Sequence, residues 1–154
     1  MNPSKMLKGD FNNRKKELTI TYKDKRSITL HYGQLGIKEN LIRVDIDPES
    51  KGLALSLELQ DGRKEYVPYD IPLIFSQDPD YLFQAEVEEL IADIKIKMKK
   101  SQISKKYLAR QLQTSDIQIE RLLDPKTLNK NFQQLNKVAH ILGMNLSIKM
   151  DIAA

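Results

Sequence analysis

The chain has 154 residues, 40% of them hydrophobic and 30% charged, with a formal net charge of +4. This is a globular composition with room for one ordinary domain or two small ones. The absence of cysteine excludes disulfide scaffolds, zinc fingers and thiol catalysis, and no apolar run nears the ~18 residues of a membrane helix.

The first ten residues, from Met1 to Asp10, lack the apolar stretch of a signal peptide, so the expected location is the cytoplasm. Residues 1–14 are expected to be a flexible N-terminus. Leu18–Tyr22 and Ile28–Tyr32 then alternate with period two and are rich in β-branched residues, which predicts two strands joined by a tight turn over Lys23–Arg26. A third strand is predicted over Leu41–Ile46. Leu53–Leu59 alternates cleanly, runs into Gln60-Asp61-Gly62-Arg63 and resumes as Lys64–Pro68, a strong hairpin pattern. Pro68 places that last strand at a sheet edge or at its own end. These elements predict a small, mostly antiparallel β-rich domain over residues 15–80. Its last stretch, Tyr69–Asp80, holds two prolines and reads as a connector with an apolar patch.

From about Tyr81 the period becomes helical. Val87, Leu90, Ile91, Ile94 and Met98 share one helix face. Glu86, Glu88 and Glu89 stand near its start and Lys97, Lys99 and Lys100 at its end, as the helix dipole favours. Further helices are predicted over Ser104–Leu112 with Ser104 as N-cap, over Asp116–Leu123 with Ser115 as N-cap, and over Phe132–Leu142 with Asn131 as N-cap. Asp124-Pro125 ends the second of these and Gly143 the third. Leu146, Ile148 and Met150 alternate with polar residues as a short strand or extended, strand-like tail. The fold class is therefore α+β: a β-rich N-terminal domain, then a helical domain over 81–154.

Charge is unevenly shared. Residues 1–82 carry 13 Lys/Arg against 13 Asp/Glu, whereas residues 83–154 carry 12 against 8, so the whole excess of +4 lies in the helical half. Lys95 to Arg110 holds seven basic residues and no acid. A field of that sign attracts polyanions. Catalytic chemistry has no foothold: His31 and His140 stand without partners at catalytic or metal spacing, and the six glycines form no phosphate loop. No enzyme activity, cofactor or metal is expected.

Two short helices joined by Gln113-Thr114-Ser115 have the geometry of a helix-turn-helix, with Leu108, Ala109 and Leu112 facing Ile119 and Leu122. At Leu108-Ala109, Leu112, Ser115, Ile119 and Arg121-Leu122 the chain resembles the Cro/repressor-type helix-turn-helix, the λ-repressor-like (XRE) family. Phe132 to Gly143 resembles that family's following helix. Ser104-Lys105, Thr114-Ser115 and Arg121-Leu122-Leu123-Asp124-Pro125 are similar to a bacterial subgroup whose recognition helix ends in Arg-Leu-Leu-Asp-Pro. The resemblance covers residues ~83–150 and implies a transcription regulator that binds duplex DNA; a homodimer is expected because one short helix reads too few base pairs. It implies Ser115, Asp116, Ile117, Gln118 and Arg121 as groove-facing, with Lys105, Lys106 and Arg110 on backbone phosphates. Two positions depart from the family: Gln113 stands where glycine is usual, and Asp116 where many relatives carry Gln. The competing role for Arg121 is an ion pair to Asp124, Asp116 or Glu120.

Leu55 to Asp70 resembles a small bacterial β-domain of unknown function, which implies a sensor or interaction module with a possible protein partner. Two other functions stay open at this point. One is an antitoxin-like autoregulator whose β-domain binds a protein. The other is an interaction module that does not bind DNA, which Asp116 favours.

Overall fold

The alternation in the first half folds into two small sheets. In the computed structural model, which describes residues 5–152, the chain is α+β, with two three-stranded antiparallel sheets and five α-helices. It forms two compact units, one ending at Leu82 and the other beginning at Phe83. No helix among the described residues is long and apolar enough to cross a membrane.

In the first unit, β1 (Met6–Asn12), β2 (Glu17–Tyr22) and β3 (Ser27–His31) form one sheet in that order. β4 (Leu41–Ile46), β5 (Ala54–Leu59) and β6 (Lys64–Pro68) form the other. The period of two does its work on the central strands. β2 buries Leu18, Ile20 and Tyr22, and β5 buries Leu55, Leu57 and Leu59, with the residues between them only half-buried. Pro68 lies on β6, an edge strand, where its missing N–H breaks no ladder. The β2–β3 and β5–β6 turns use one device. Asp24 accepts from the Arg26 backbone N–H and its side-chain Nε, and Asp61 accepts in the same way from Arg63. The residue between each pair, Lys25 or Gly62, is left-handed, with φ of 72° and 86°.

The expectation of a flexible N-terminus over 1–14 is corrected: residues 6–12 are β1, paired antiparallel with β2 so that Gly9 faces Ile20 and Phe11 faces Leu18. Residues 1–4 lie outside the described residues. The strand escaped the alternation test because it buries only Met6 completely and its register shifts between Met6 and Lys8. Close approach holds it instead. A Cβ added at Gly9 would lie 2.5 Å from Val44 Cγ1 and 2.9 Å from Leu55 Cδ1, so glycine lets β1 lie against the second sheet. Asn13 completes the join. Its Nδ2 donates to the Leu41 carbonyl at 2.8 Å, and its Oδ1 accepts from Leu41 N–H at 2.8 Å and from the Tyr32 hydroxyl at 2.9 Å.

The expected connector contains a further element, α1 (Asp70–Phe75), with Pro72 and Leu73 buried. Pro72 sits in the first turn, where a backbone N–H has no helical acceptor to lose. The following helix, α2 (Pro79–Ser101), starts two residues earlier than its apolar period shows. Pro79 is its first residue, and Asp78 caps it by accepting from Tyr81 N–H at 2.9 Å. The second oxygen of Asp78 lies 2.6 Å from Arg26, which also contacts Asp24 at 2.7 Å and the Tyr22 ring, 5.8 Å from its centroid.

In the second unit the predicted helix face is the buried one: Val87, Ile91, Ile94 and Met98 of α2 enter the core, with Leu90 packed beside them. They join residues of α3 (Lys105–Gln111), α4 (Asp116–Leu122) and α5 (Phe132–Ile141). The strand-like tail forms no ladder among the described residues. Leu146 is half-buried against this core, while Ile148, Met150 and Ile152 are exposed. The second unit has no strand among its described residues for the alternating tail to pair with.

Burial pushes the Asp78 carboxyl up, but hydrogen bonds from Arg26 and Tyr81 and the Arg26 charge outweigh it and hold the group below the usual carboxylate range. The folded form therefore binds this proton more weakly than the unfolded chain, whose value is about 3.9. Its stabilisation is complete above that value and disappears as pH falls through the lower, folded one. Asp78→Asn keeps the cap and loses the ion pair. It is expected to cost about 1 kcal/mol at neutral pH, with the difference from wild type vanishing in acid. Urea unfolding across pH 2–7 measures both.

Candidate nucleic-acid interface

Most of the helical unit's basic residues lie on the end of α2, on α3 and on α4. α3 begins at Ser104, whose Oγ accepts from Tyr107 N–H at 3.1 Å. It ends at Leu112, and Thr114 N–H then bonds back to the Ala109 carbonyl at 2.9 Å. Between them Gln113 is left-handed, with φ of 53°. A non-glycine residue in the left-handed region costs about 1 kcal/mol. α4 begins at once: Ser115 Oγ accepts from Gln118 N–H at 3.2 Å. Leu108 and Ala109 of α3 and Ile119 and Leu122 of α4 are buried in one cluster. Ala109, with its single methyl group, takes little room in that seam.

The same geometry turns Ser115, Asp116, Ile117, Gln118 and Arg121 outward, all of them exposed. Ile117 is 63% exposed, a large value for an isoleucine. Ile117, Gln118 and Arg121 stand at i, i+1 and i+4, within one turn of each other. Arg121 makes no ion pair with a described residue, and two of the acids near it in sequence have other partners. Glu120 pairs with Lys105 at 3.9 Å. Asp124 accepts from Lys126 N–H and from the Thr127 hydroxyl, each at 3.0 Å, and these bonds hold its carboxyl below the usual range. Asp116 lies at the first position of α4, where a negative charge suits the helix dipole.

Of the three expected phosphate contacts, Lys105 is shared with Glu120 across half-exposed side chains, a pair worth at most about 1 kcal/mol. Lys106 and Arg110 are exposed one turn apart on α3, and neither is in an ion pair with a described residue. Lys95, Lys99 and Lys100 are exposed on the last turns of α2, while Lys97 is half-buried.

One residue had no signal in the sequence. Lys130, between α4 and α5, is buried, with 8% of its surface exposed. Its Nζ donates to the Arg121 carbonyl at 3.0 Å and to the Asp124 carbonyl. Burial pushes the ammonium below the usual lysine range, and Lys95 adds to this while Asp124 opposes it. A lysine in a polar stretch before a cap residue reads as solvated, so only the fold shows where its amine goes. The α3–α4 turn and α5 also border an open cleft of about 710 Å³ lined by Gln113, Lys137, His140 and Asn145 among others. No group of three or more His, Asp or Glu able to hold a metal occurs among the described residues.

No family model, curated protein or solved structure compared with this chain matches it.

Gln113→Gly removes the left-handed strain without touching the caps on either side. It is expected to stabilise the protein by up to about 1 kcal/mol, read as a higher midpoint in urea unfolding with an unchanged slope.

Proposed function

We propose that the helical unit binds duplex DNA as a λ-repressor-like helix-turn-helix, with α4 in the major groove, and that the protein is a bacterial transcription regulator. The observation that carries this reading is the division of α4. Its inner face is spent on the seam with α3, and its outer face holds Ile117, Gln118 and Arg121, exposed side chains that make no hydrogen bond or ion pair with a described residue. Gln118 suits a bidentate contact to adenine, Arg121 a guanine or a phosphate, Ile117 a thymine methyl, and Asp116 the amino group of cytosine. Ser115 already accepts a bond from Gln118 N–H, so its own O–H proton is what it has left to donate to DNA. Lys106 and Arg110, with Lys105 when released from Glu120, suit backbone phosphates on either side.

A seven-residue helix reads few base pairs, so a homodimer on two half-sites fits this mode of binding. A second reading, a protein-interaction module built on the same two helices, is favoured by the exposed Ile117 and by Asp116, an acid that repels phosphate.

Selection of the purified full-length chain on a randomised duplex pool at physiological salt separates the two. A DNA reader enriches a short motif. Arg121→Ala and Gln118→Ala then each lose about 1–3 kcal/mol on that motif. Lys106→Ala and Arg110→Ala weaken binding to all sequences alike and each lower the salt slope by about one. Enrichment of nothing, with binding that vanishes as salt rises, rules out the groove assignment.

A further inference from the structure

We propose that Lys130 is a positioning residue for α4: its buried ammonium pins the carbonyl end of that helix and so sets specific against non-specific DNA binding. The effect on DNA rests on the reading of α4 given above; the pinning itself does not. Among the described residues Lys130 is the one charged side chain classed with the core. It belongs to no helix and directly precedes the α5 cap, Asn131. Its amine reaches back to α4, to the carbonyl of Arg121 inside the last turn and to that of Asp124 just beyond it.

The last carbonyls of a helix lack internal partners and carry its partial negative charge. An ammonium brings three donors and a full positive charge to that end. No carboxylate of the described residues forms a salt bridge with it. The Asp124 carboxylate is taken by Lys126 N–H and Thr127, Arg121 directs only its carbonyl inward, and Lys95 of α2 contributes repulsion. The buried charge is therefore met by two main-chain carbonyls in direct contact and, without a salt bridge, by the attraction of the Asp124 carboxylate. An interior charge that loses its partners is disfavoured, so drift of α4 away from Lys130 is opposed by the loss of both carbonyl contacts.

The consequence falls on one residue. Arg121 offers its guanidinium outward and is held by its own carbonyl from within. Ser115 caps the start of α4 and Lys130 holds its end, with Gln118 and Arg121 between these anchors. Contacts to phosphate tolerate a loosened helix, because a point charge and a diffuse anion attract over a range of positions. Bidentate contacts to a base edge do not.

The test uses the full-length chain and begins with wild type. Couplings through the hydrogen bonds, from Lys130 Nζ to the carbonyl carbons of Arg121 and Asp124, are expected in a ¹H–¹⁵N–¹³C experiment; their absence overturns the assignment of Lys130. Lys130→Met and Lys130→Arg are then compared with wild type on the duplex enriched from the random pool and on an unrelated duplex of equal length. Lys130→Met is expected to lose at least about tenfold on the enriched duplex, with unchanged affinity and salt slope on the unrelated one. Lys130→Arg is expected to regain most of the loss. Equal losses on both duplexes, or no loss on either, overturn the proposal. Should Lys130→Met fail to fold, Lys130→Gln replaces it and is held to the same split between duplexes. A pool that enriches nothing overturns the reading of α4 itself, and with it the effect on DNA, whereas missing couplings overturn the role of Lys130 alone.

Discussion

Seven-residue helices do not persist alone in water, where even favourable sequences need roughly 12–15 residues to offset the cost of nucleation. α3 and α4 are each of that short length, so their existence depends on the seam they share. Leu108 and Ala109 from one and Ile119 and Leu122 from the other supply it. The rest of the unit follows from keeping the seam closed. Ser104 and Ser115 satisfy donors at the two helix starts, Gln113 takes a left-handed conformation to turn the chain sharply, and Lys130 meets the carbonyls where α4 ends. The ends are satisfied largely from within the motif and the stretch that follows it. That leaves the side chains of Ile117 and Gln118 on the outward face of α4 without a packing or bonding partner among the described residues.

The first unit solves a related problem with other means. A sheet of three short strands needs a second layer to bury its apolar face. Here β2 and β5 provide the two alternating faces, and the layers join where β1 and β4 approach. Gly9 removes the side chain that would hold them apart. Asn13 then offers a side-chain amide that mimics a strand, pairing with both the N–H and the carbonyl of Leu41. Arg26 ties the β2–β3 turn to Asp78 at the start of α2, so a single arginine links a hairpin, an aromatic ring and a helix cap.

What could be read from the sequence was what is locally encoded. Strands β2 to β6 show themselves by alternation or by the Asp-Gly turn, and the three N-caps Ser104, Ser115 and Asn131 sit directly before the periods they start. The missed elements draw their stability from distant partners. β1 has one fully buried side chain and rests on β2 and on the gap at Gly9. α1 hides behind Pro72, which reads as a breaker when its place in the first turn is unknown. At the candidate site, the seam of Leu108, Ala109, Ile119 and Leu122 follows from helical spacing, whereas the outward set on α4 and the special place of Gln113 are implied only by the helix-turn-helix resemblance. Lys130 does not follow, since burial of a lysine depends on carbonyls supplied by a helix that ended several residues earlier.

The charges on α4 bear on how it can work. Asp116 at its start and Arg121 in its last turn are both placed to stabilise the helix dipole, so they serve the fold before any ligand arrives. For DNA they act in opposite senses: Asp116 repels phosphate and Arg121 attracts it. The start of α4 is thus a poor phosphate anchor, unlike the usual helix N-terminus. Attraction to a polyanion must come from the lysines at the end of α2 and from Lys106 and Arg110 of α3, none of which is in an ion pair with a described residue. On the proposed DNA-binding reading, affinity and sequence reading fall to different helices. On that reading the lysines would draw the duplex in without regard to sequence, and α4, short, capped at its start by Ser115 and partly repelled, would be rewarded only where its side chains meet matching base edges.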